Sequence, residues 1–127
     1  MLTIPKNIKA IIFDCDGTLV DNMLLHLISW QKSFEYFGAV FTGEFLEKTS
    51  GMPLVDTVEH YNKQFNCDLD PVRIAEMKEA SFRELMHDAE PIHMVCDLAR
   101  EYYGKLPISV VSGSGRFSVD FSLKQAG

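Results

Sequence analysis

The sequence of 127 residues is 46% hydrophobic and 24% charged, so it can bury one globular core but hardly two independent ones. Twelve Lys and Arg against 18 Asp and Glu give a net charge of −6, which disfavours nucleic acid as a partner. Three scattered cysteines (Cys15, Cys67 and Cys96) indicate neither a disulfide framework nor a zinc site, and no stretch approaches the roughly 20 apolar residues that span a bilayer. We therefore expect a soluble protein of the reducing cytoplasm that does not bind membranes.

The N-terminal part predicts a strand, a tight turn and a helix. Residues 8–13 are a continuous apolar, β-branched run, which is typical of a parallel strand covered on both faces. Gly17 then allows the backbone to turn. Apolar residues recur at steps of three and four over residues 23–37, so we predict an amphipathic helix that Asp21 or Asn22 caps.

The middle of the sequence predicts further helices. A short helix is indicated over residues 43–49, capped by Thr42, and a second has Pro53 at its first position. A third begins after Asp70-Pro71 and runs towards His87. Because this segment has no strand pattern, we interpret it as a helical insertion.

The last part returns to an alternation of helix and strand. Residues 91–104 predict a helix, 107–111 a second apolar strand, and 117–126 a final helix. This order is typical of an α/β fold with a parallel sheet. A third strand is due where the sequence stops at Gly127, so we expect it to be truncated.

Polar residues follow both predicted strands. Asp14 and Asp16 come after the first, and the loop over residues 112–115 follows the second, just before a helix N-terminus that could bind phosphate. The carboxyl ends of parallel strands meet at one sheet edge, so the two loops should converge. Two carboxylates that face a phosphate need a divalent cation between them, and Mg²⁺ prefers such oxygens. The pair therefore predicts metal-assisted phosphoryl chemistry; a calcium loop or a structural cap is the alternative.

The motif Asp14-x-Asp16-Gly17-Thr18 after an apolar strand, with a later strand that ends in Ser112, resembles the haloacid dehalogenase superfamily of phosphotransferases. The resemblance implies an α/β fold with a Rossmann-like parallel sheet core, incomplete here, and an inserted α-helical cap. The core would comprise residues 1–18 and 89–127, and the cap would comprise residues 19–88.

The resemblance also implies a role for each site residue. Asp14 would attack the phosphorus and form an aspartyl-phosphate, and Asp16 would act first as general acid and then as base. Mg²⁺ would be held by the Asp14 carboxylate and the Asp16 backbone carbonyl. His26 would couple cap closure to the general acid. The residues that would bind substrate or phosphate are Gly17, Thr18, Lys78, Ser112, Gly113 and Ser114.

The first cap helix indicates one branch of the superfamily. Its residues Asp21, His26 and Trp30 resemble those of the β-phosphoglucomutase branch and its sugar-phosphate phosphatases. The mutases carry a phosphate-binding arginine soon after the glycine that matches Gly51, and residues 52–55 contain none. We therefore expect a Mg²⁺-dependent phosphatase that acts on a small phosphorylated metabolite, namely a small sugar phosphate, with a hexose-phosphate mutase as the alternative.

Two further catalytic elements of the family, a lysine and a final acidic pair, would lie beyond Gly127. A catalytically silent fragment or a phosphate-binding module is therefore a second alternative. An incomplete core would also leave a sheet edge and helix faces uncovered, which predicts self-association.

Overall fold

The computed structural model describes residues 2–127 and separates into two compact units. One unit holds the residues up to Asn22 together with Ala89–Gly127, and the other holds Met23–Asp88. Across residues 2–127, none of the helices combines the length and the apolarity that crossing a membrane requires.

The helices and strands follow one another in the order that the sequence pattern predicts, with two short strands added. In chain order they are β1 Ile11–Phe13, β2 Val20–Asp21, α1 Met23–Tyr36, α2 Gly43–Thr49, α3 Leu54–Phe65, α4 Pro71–Leu85, a 3₁₀ turn Met86–Asp88, β3 Glu90–Pro91, α5 His93–Tyr102, β4 Ile108–Val110 and α6 Arg116–Ala126.

The main sheet of the first unit consists of β1 and β4, which pair in parallel as predicted. Phe13 lies opposite Val110 and is buried, on the face that lines a cavity of about 830 Å³ together with side chains of α5 and α6. The opposite face carries Ile12 and Val111, which are 70% and 63% exposed. The prediction of a strand covered on both faces is therefore wrong for this chain, because nothing in residues 2–127 covers the second face.

The short strands β2 and β3 pair antiparallel, with Val20 opposite Pro91 and Asp21 opposite Glu90. The backbone N–H of Ile92 extends the contact by donating to the carbonyl of Leu19 at 2.9 Å. These bonds place residues 19–22 in the first unit, whereas the resemblance implies a cap that begins at residue 19.

The second unit is a helical bundle around an aromatic core. Its buried cluster comprises Trp30, Phe34, Phe41, Phe45, Val58, Tyr61 and Ile74. The predicted caps form at α2, where Thr42 accepts a hydrogen bond from the Phe45 N–H, and at α4, where Asp70 accepts from two backbone N–H groups. Pro53 precedes the first residue of α3 and does not occupy the first helical position that was predicted.

Candidate active site

The chain leaves β1 through a tight turn around one carbonyl group. The carbonyl oxygen of Cys15 accepts the backbone N–H groups of Thr18, Leu19 and Val20 at 3.2, 2.9 and 3.2 Å. Gly17 has a φ of 72°, in the left-handed region that glycine adopts without steric cost. The turn therefore fixes the backbone that carries both acidic residues.

Asp14 lies directly after β1, and its side chain is exposed. One of its oxygens, Oδ1, accepts a hydrogen bond from the backbone N–H of Cys15 at 2.9 Å. This contact orients the carboxylate within the loop while leaving it open to solvent. An exposed, oriented carboxylate at a strand end is accessible to a substrate.

Asp16 is half-buried, and its two carboxylate oxygens contact different parts of the unit. Oδ1 accepts from the side-chain amide of Asn22 at 2.7 Å. Oδ2 accepts from the hydroxyl of Ser114 at 2.6 Å and from that of Ser112 at 3.3 Å. The loops after β1 and β4 thus meet at this carboxylate, as the parallel arrangement of the strands predicts.

The second loop is held by its own first residue. The backbone N–H of Ser114 donates to the hydroxyl oxygen of Ser112 at 3.1 Å, and Gly115 then leads into α6. Gly113 lies between the two serines and is half-buried. The serine hydroxyls donate to Asp16 here, so their predicted contact with a phosphoryl group stays a prediction.

Asn22 belongs to this site, although the sequence pattern predicts for it only a possible role as a helix cap. It is 1% exposed, and its Oδ1 accepts from the backbone N–H of Gly17 at 3.2 Å while its Nδ2 donates to Asp16. Asparagine is favoured both at helix caps and in loop turns because its short side chain reaches nearby backbone groups. Its residue type therefore could not distinguish the two roles.

Cys15 lies between the two acids with its thiol fully buried. Its pKa is raised from 9.0 to about 12, chiefly by burial and then by the negative charges of Asp16, Asp14 and Cys96. The thiol is therefore protonated near neutral pH. It acts as an apolar packing group.

His26 and Lys78 contact each other in the second unit. The ammonium nitrogen of Lys78 lies 2.7 Å from Nδ1 of His26, and both residues are buried. The His26 ring stacks on the Phe82 ring with centroids 4.0 Å apart, and Lys78 Nζ lies 4.6 Å from the centroid of the Phe82 ring. The inward position of Lys78 agrees with its place on the apolar face of α4.

The oxygen atoms of the first loop fit a hard divalent cation. In residues 2–127, no three His, Cys, Asp or Glu side chains gather as a preformed metal centre. Mg²⁺ commonly binds through one or two carboxylates and takes its remaining ligands from water and substrate phosphate. The exposed Asp14 carboxylate and the Asp16 backbone carbonyl are compatible with such a partial ligand set.

Comparison with known sequences identifies the relatives of this chain. The sequence pattern of haloacid dehalogenase-like hydrolases matches residues 11–127. The fructose-1-phosphate phosphatase YqaB of Escherichia coli is 28% identical over 106 residues, which are 83% of this chain and 56% of that protein. The pyrophosphatase PpaX of Oceanobacillus iheyensis is 30% identical over 122 residues, which are 95% of this chain and 55% of that protein. The chain thus spans little more than half the length of these relatives.

Solved structures share the fold. A hydrolase from Pseudomonas syringae has a TM-score of 0.85 at 16% identity, with 93% of this chain and 56% of that chain covered. A β-phosphoglucomutase from Clostridium difficile has a TM-score of 0.74 at 23% identity, with 94% and 57% covered. The predicted α/β class is confirmed by the parallel pair of strands and by these structures.

Proposed function

This chain belongs to the haloacid dehalogenase-like hydrolase family, and we propose that it serves a Mg²⁺-dependent phosphatase that acts on small sugar phosphates. The observation that carries the proposal is the meeting of Asp14, Asp16 and the serine loop at one sheet edge. A relative that is named as a fructose-1-phosphate phosphatase supports the substrate class.

In the first step, Asp14 is the nucleophile. One of its carboxylate oxygens forms a bond to phosphorus while the bond between phosphorus and the leaving alcohol oxygen breaks. Asp16, in its protonated form, gives its proton to that oxygen. The products of this step are the free alcohol and an aspartyl-phosphate on Asp14.

In the second step, water hydrolyses the aspartyl-phosphate. Asp16, now a carboxylate, takes a proton from the water. The water oxygen bonds to phosphorus as the bond between phosphorus and the Asp14 oxygen breaks. Inorganic phosphate leaves, and Asp14 is restored. The Ser112 hydroxyl and the Gly113 N–H would donate to phosphoryl oxygens and stabilise their growing charge.

The carboxylates of this loop and a substrate phosphate repel each other, and a bound divalent cation would offset that repulsion. It would be held by the Asp14 side chain and the Asp16 backbone carbonyl, and it would supply charge neutralisation. Gly17 and Thr18 shape the same turn. The free thiols of this chain are compatible with the reducing cytoplasm that we propose as its compartment.

The second unit would recognise the substrate. Lys78 offers a positive charge for a substrate oxygen, and His26, which it contacts at 2.7 Å, would couple closure of the helical unit to the general acid. We retain a hexose-phosphate mutase as the second candidate because a β-phosphoglucomutase shares the fold. The absence of arginine from residues 52–55 favours hydrolysis.

The test is the release of phosphate from a panel of sugar phosphates by the purified protein with Mg²⁺. We expect Asp14→Asn to lose nearly all activity because an amide cannot serve as the nucleophile. Asp21→Asn, which removes an exposed carboxylate from β2, is the matched control and should retain activity. An active Asp14→Asn variant would contradict the assigned nucleophile.

The same assay separates the alternatives. A mutase would interconvert hexose phosphates only when a bisphosphate primer is present. A phosphate-binding module would bind phosphate without turnover of any ester, and that result would replace the phosphatase proposal. Detection of phosphate on Asp14 by mass spectrometry would support the covalent step.

A further inference from the structure

We propose that Asn22 is the positioning residue of the general acid, an inference that rests on the proposed phosphatase function. Its side-chain amide holds Oδ1 of Asp16 at 2.7 Å, while the serine loop contacts Oδ2. The two oxygens of one carboxylate are thus divided between two segments of the unit. We infer that Oδ1 is the anchored oxygen and Oδ2 the one that exchanges protons.

Asn22 is itself held in place from several directions. Its Oδ1 accepts from the Gly17 N–H at 3.2 Å, its backbone N–H donates to the carbonyl of Val20 at 3.1 Å, and its surface is 1% exposed. A side chain whose own amide is fixed at both ends is a rigid donor. The contact to Asp16 therefore persists without help from solvent or substrate.

The serines are a different kind of partner for Asp16. Ser112 and Ser114 are only half-buried, and a hydroxyl can rotate to donate elsewhere. In the proposed mechanism the Ser112 hydroxyl turns to a phosphoryl oxygen when substrate binds. Asp16 then loses the 3.3 Å contact of Ser112 at Oδ2, while Ser114 still contacts that oxygen and Asn22 holds Oδ1. Oδ2 thus gains room to reach the leaving oxygen, and the carboxyl group stays in place.

This role predicts a dependence on the leaving group. An alkyl phosphate needs a proton on its leaving oxygen, whereas 4-nitrophenolate leaves without one. We expect Asn22→Ala and the nearly isosteric Asn22→Asp, which lacks the donor, to lower kcat on an alkyl phosphate by about 10- to 100-fold. On 4-nitrophenyl phosphate the same variants should stay within about threefold of the wild type, because general acid catalysis contributes little there.

Asn62→Ala is the matched control. In the wild type, the side-chain amide of Asn62 accepts from the N–H of Leu69 at 3.0 Å and donates to the carbonyl of Leu69 at 2.9 Å, in the second unit. The variant loses the same kind of amide contact away from Asp16, so we expect its kcat on each ester to match that of the wild type. Equal losses on both esters in Asn22→Ala, or no loss on either, would overturn the positioning role.

A measurement without turnover tests the contact itself. In ¹H–¹⁵N spectra of the full chain, the side-chain amide signals of Asn22 should move when Asp16→Ala removes their acceptor, and those of Asn62 should not. Unmoved Asn22 signals would refute the inference. If the wild type hydrolysed neither ester, the proposed function would fail, and the spectra would still decide whether Asn22 holds Asp16.

Discussion

The buried thiol of Cys15 predicts a specific loss of stability as the pH rises. Its pKa is raised from 9.0 to about 12 in the folded chain, chiefly by burial and then by the charges of Asp16 and Asp14. Ionisation of the thiol above pH 9 lowers the free energy of the unfolded chain, whereas the thiol of the folded chain does not ionise until near pH 12. The contribution of this buried thiol to the free energy of unfolding is therefore fully present below pH 9 and declines above it.

The magnitude follows from the two pKa values. At pH 8 about one unfolded thiol in ten is ionised, and at pH 10 about ten in eleven are ionised, while the folded thiol stays protonated at both. Between these pH values the free energy of unfolding should fall by about 1.4 kcal/mol from this group alone. Urea titrations at pH 8 and pH 10, with a chelator present, measure the difference.

Two variants isolate the thiol from other titrating groups. Cys15→Ala should lack this part of the decline, whatever its stability at pH 8, because the other groups are unchanged. Cys67→Ala removes an exposed thiol and should keep the wild-type decline. If the free energy of unfolding declined equally in the wild type and in Cys15→Ala, the reasoning that burial between two acids raises the pKa of this thiol would be refuted.

Two further predictions concern packing and association. Phe34→Ala should lower the free energy of unfolding of the helical unit by about 3–5 kcal/mol, because the ring is fully buried, whereas Phe65→Ala, at a half-exposed ring, should cost much less in the same urea titration. Ile12→Lys places a charge on the exposed sheet face and should weaken concentration-dependent association in sedimentation velocity. Identical sedimentation of wild type and variant at all concentrations would argue against association through this face.

Most helices of this chain could be predicted because their signals are local. The Thr42 and Asp70 caps act on the N–H groups two or three residues ahead, and the stripes over α1, α3 and α4 repeat within each helix. The parallel pair β1 and β4 was also predictable, since each strand is an apolar run that ends in polar residues. The meeting of their loops then follows from topology.

Other features depend on partners distant in sequence. β2 and β3 are two residues each, too short for any alternation, and they exist because residues about 70 positions apart pair. The exposure of Ile12 likewise depends on what covers the sheet, which an apolar run alone does not reveal. Asn22 followed the rule for helix caps, but the carboxylate of Asp16 lies within its reach and engages its amide.

The pairing of β2 with β3 makes the helical unit an exchangeable module. The chain enters that unit after Asn22 and returns at Ala89, and the adjoining residues Asp21 and Glu90 lie opposite each other in one ladder. Any inserted segment whose ends fit that spacing could join there without altering the turn that carries Asp14 and Asp16, since loop closure costs little more for a long segment than for a short one. Sequence changes in the helical unit can thus accumulate while the turn that carries Asp14 and Asp16 stays the same.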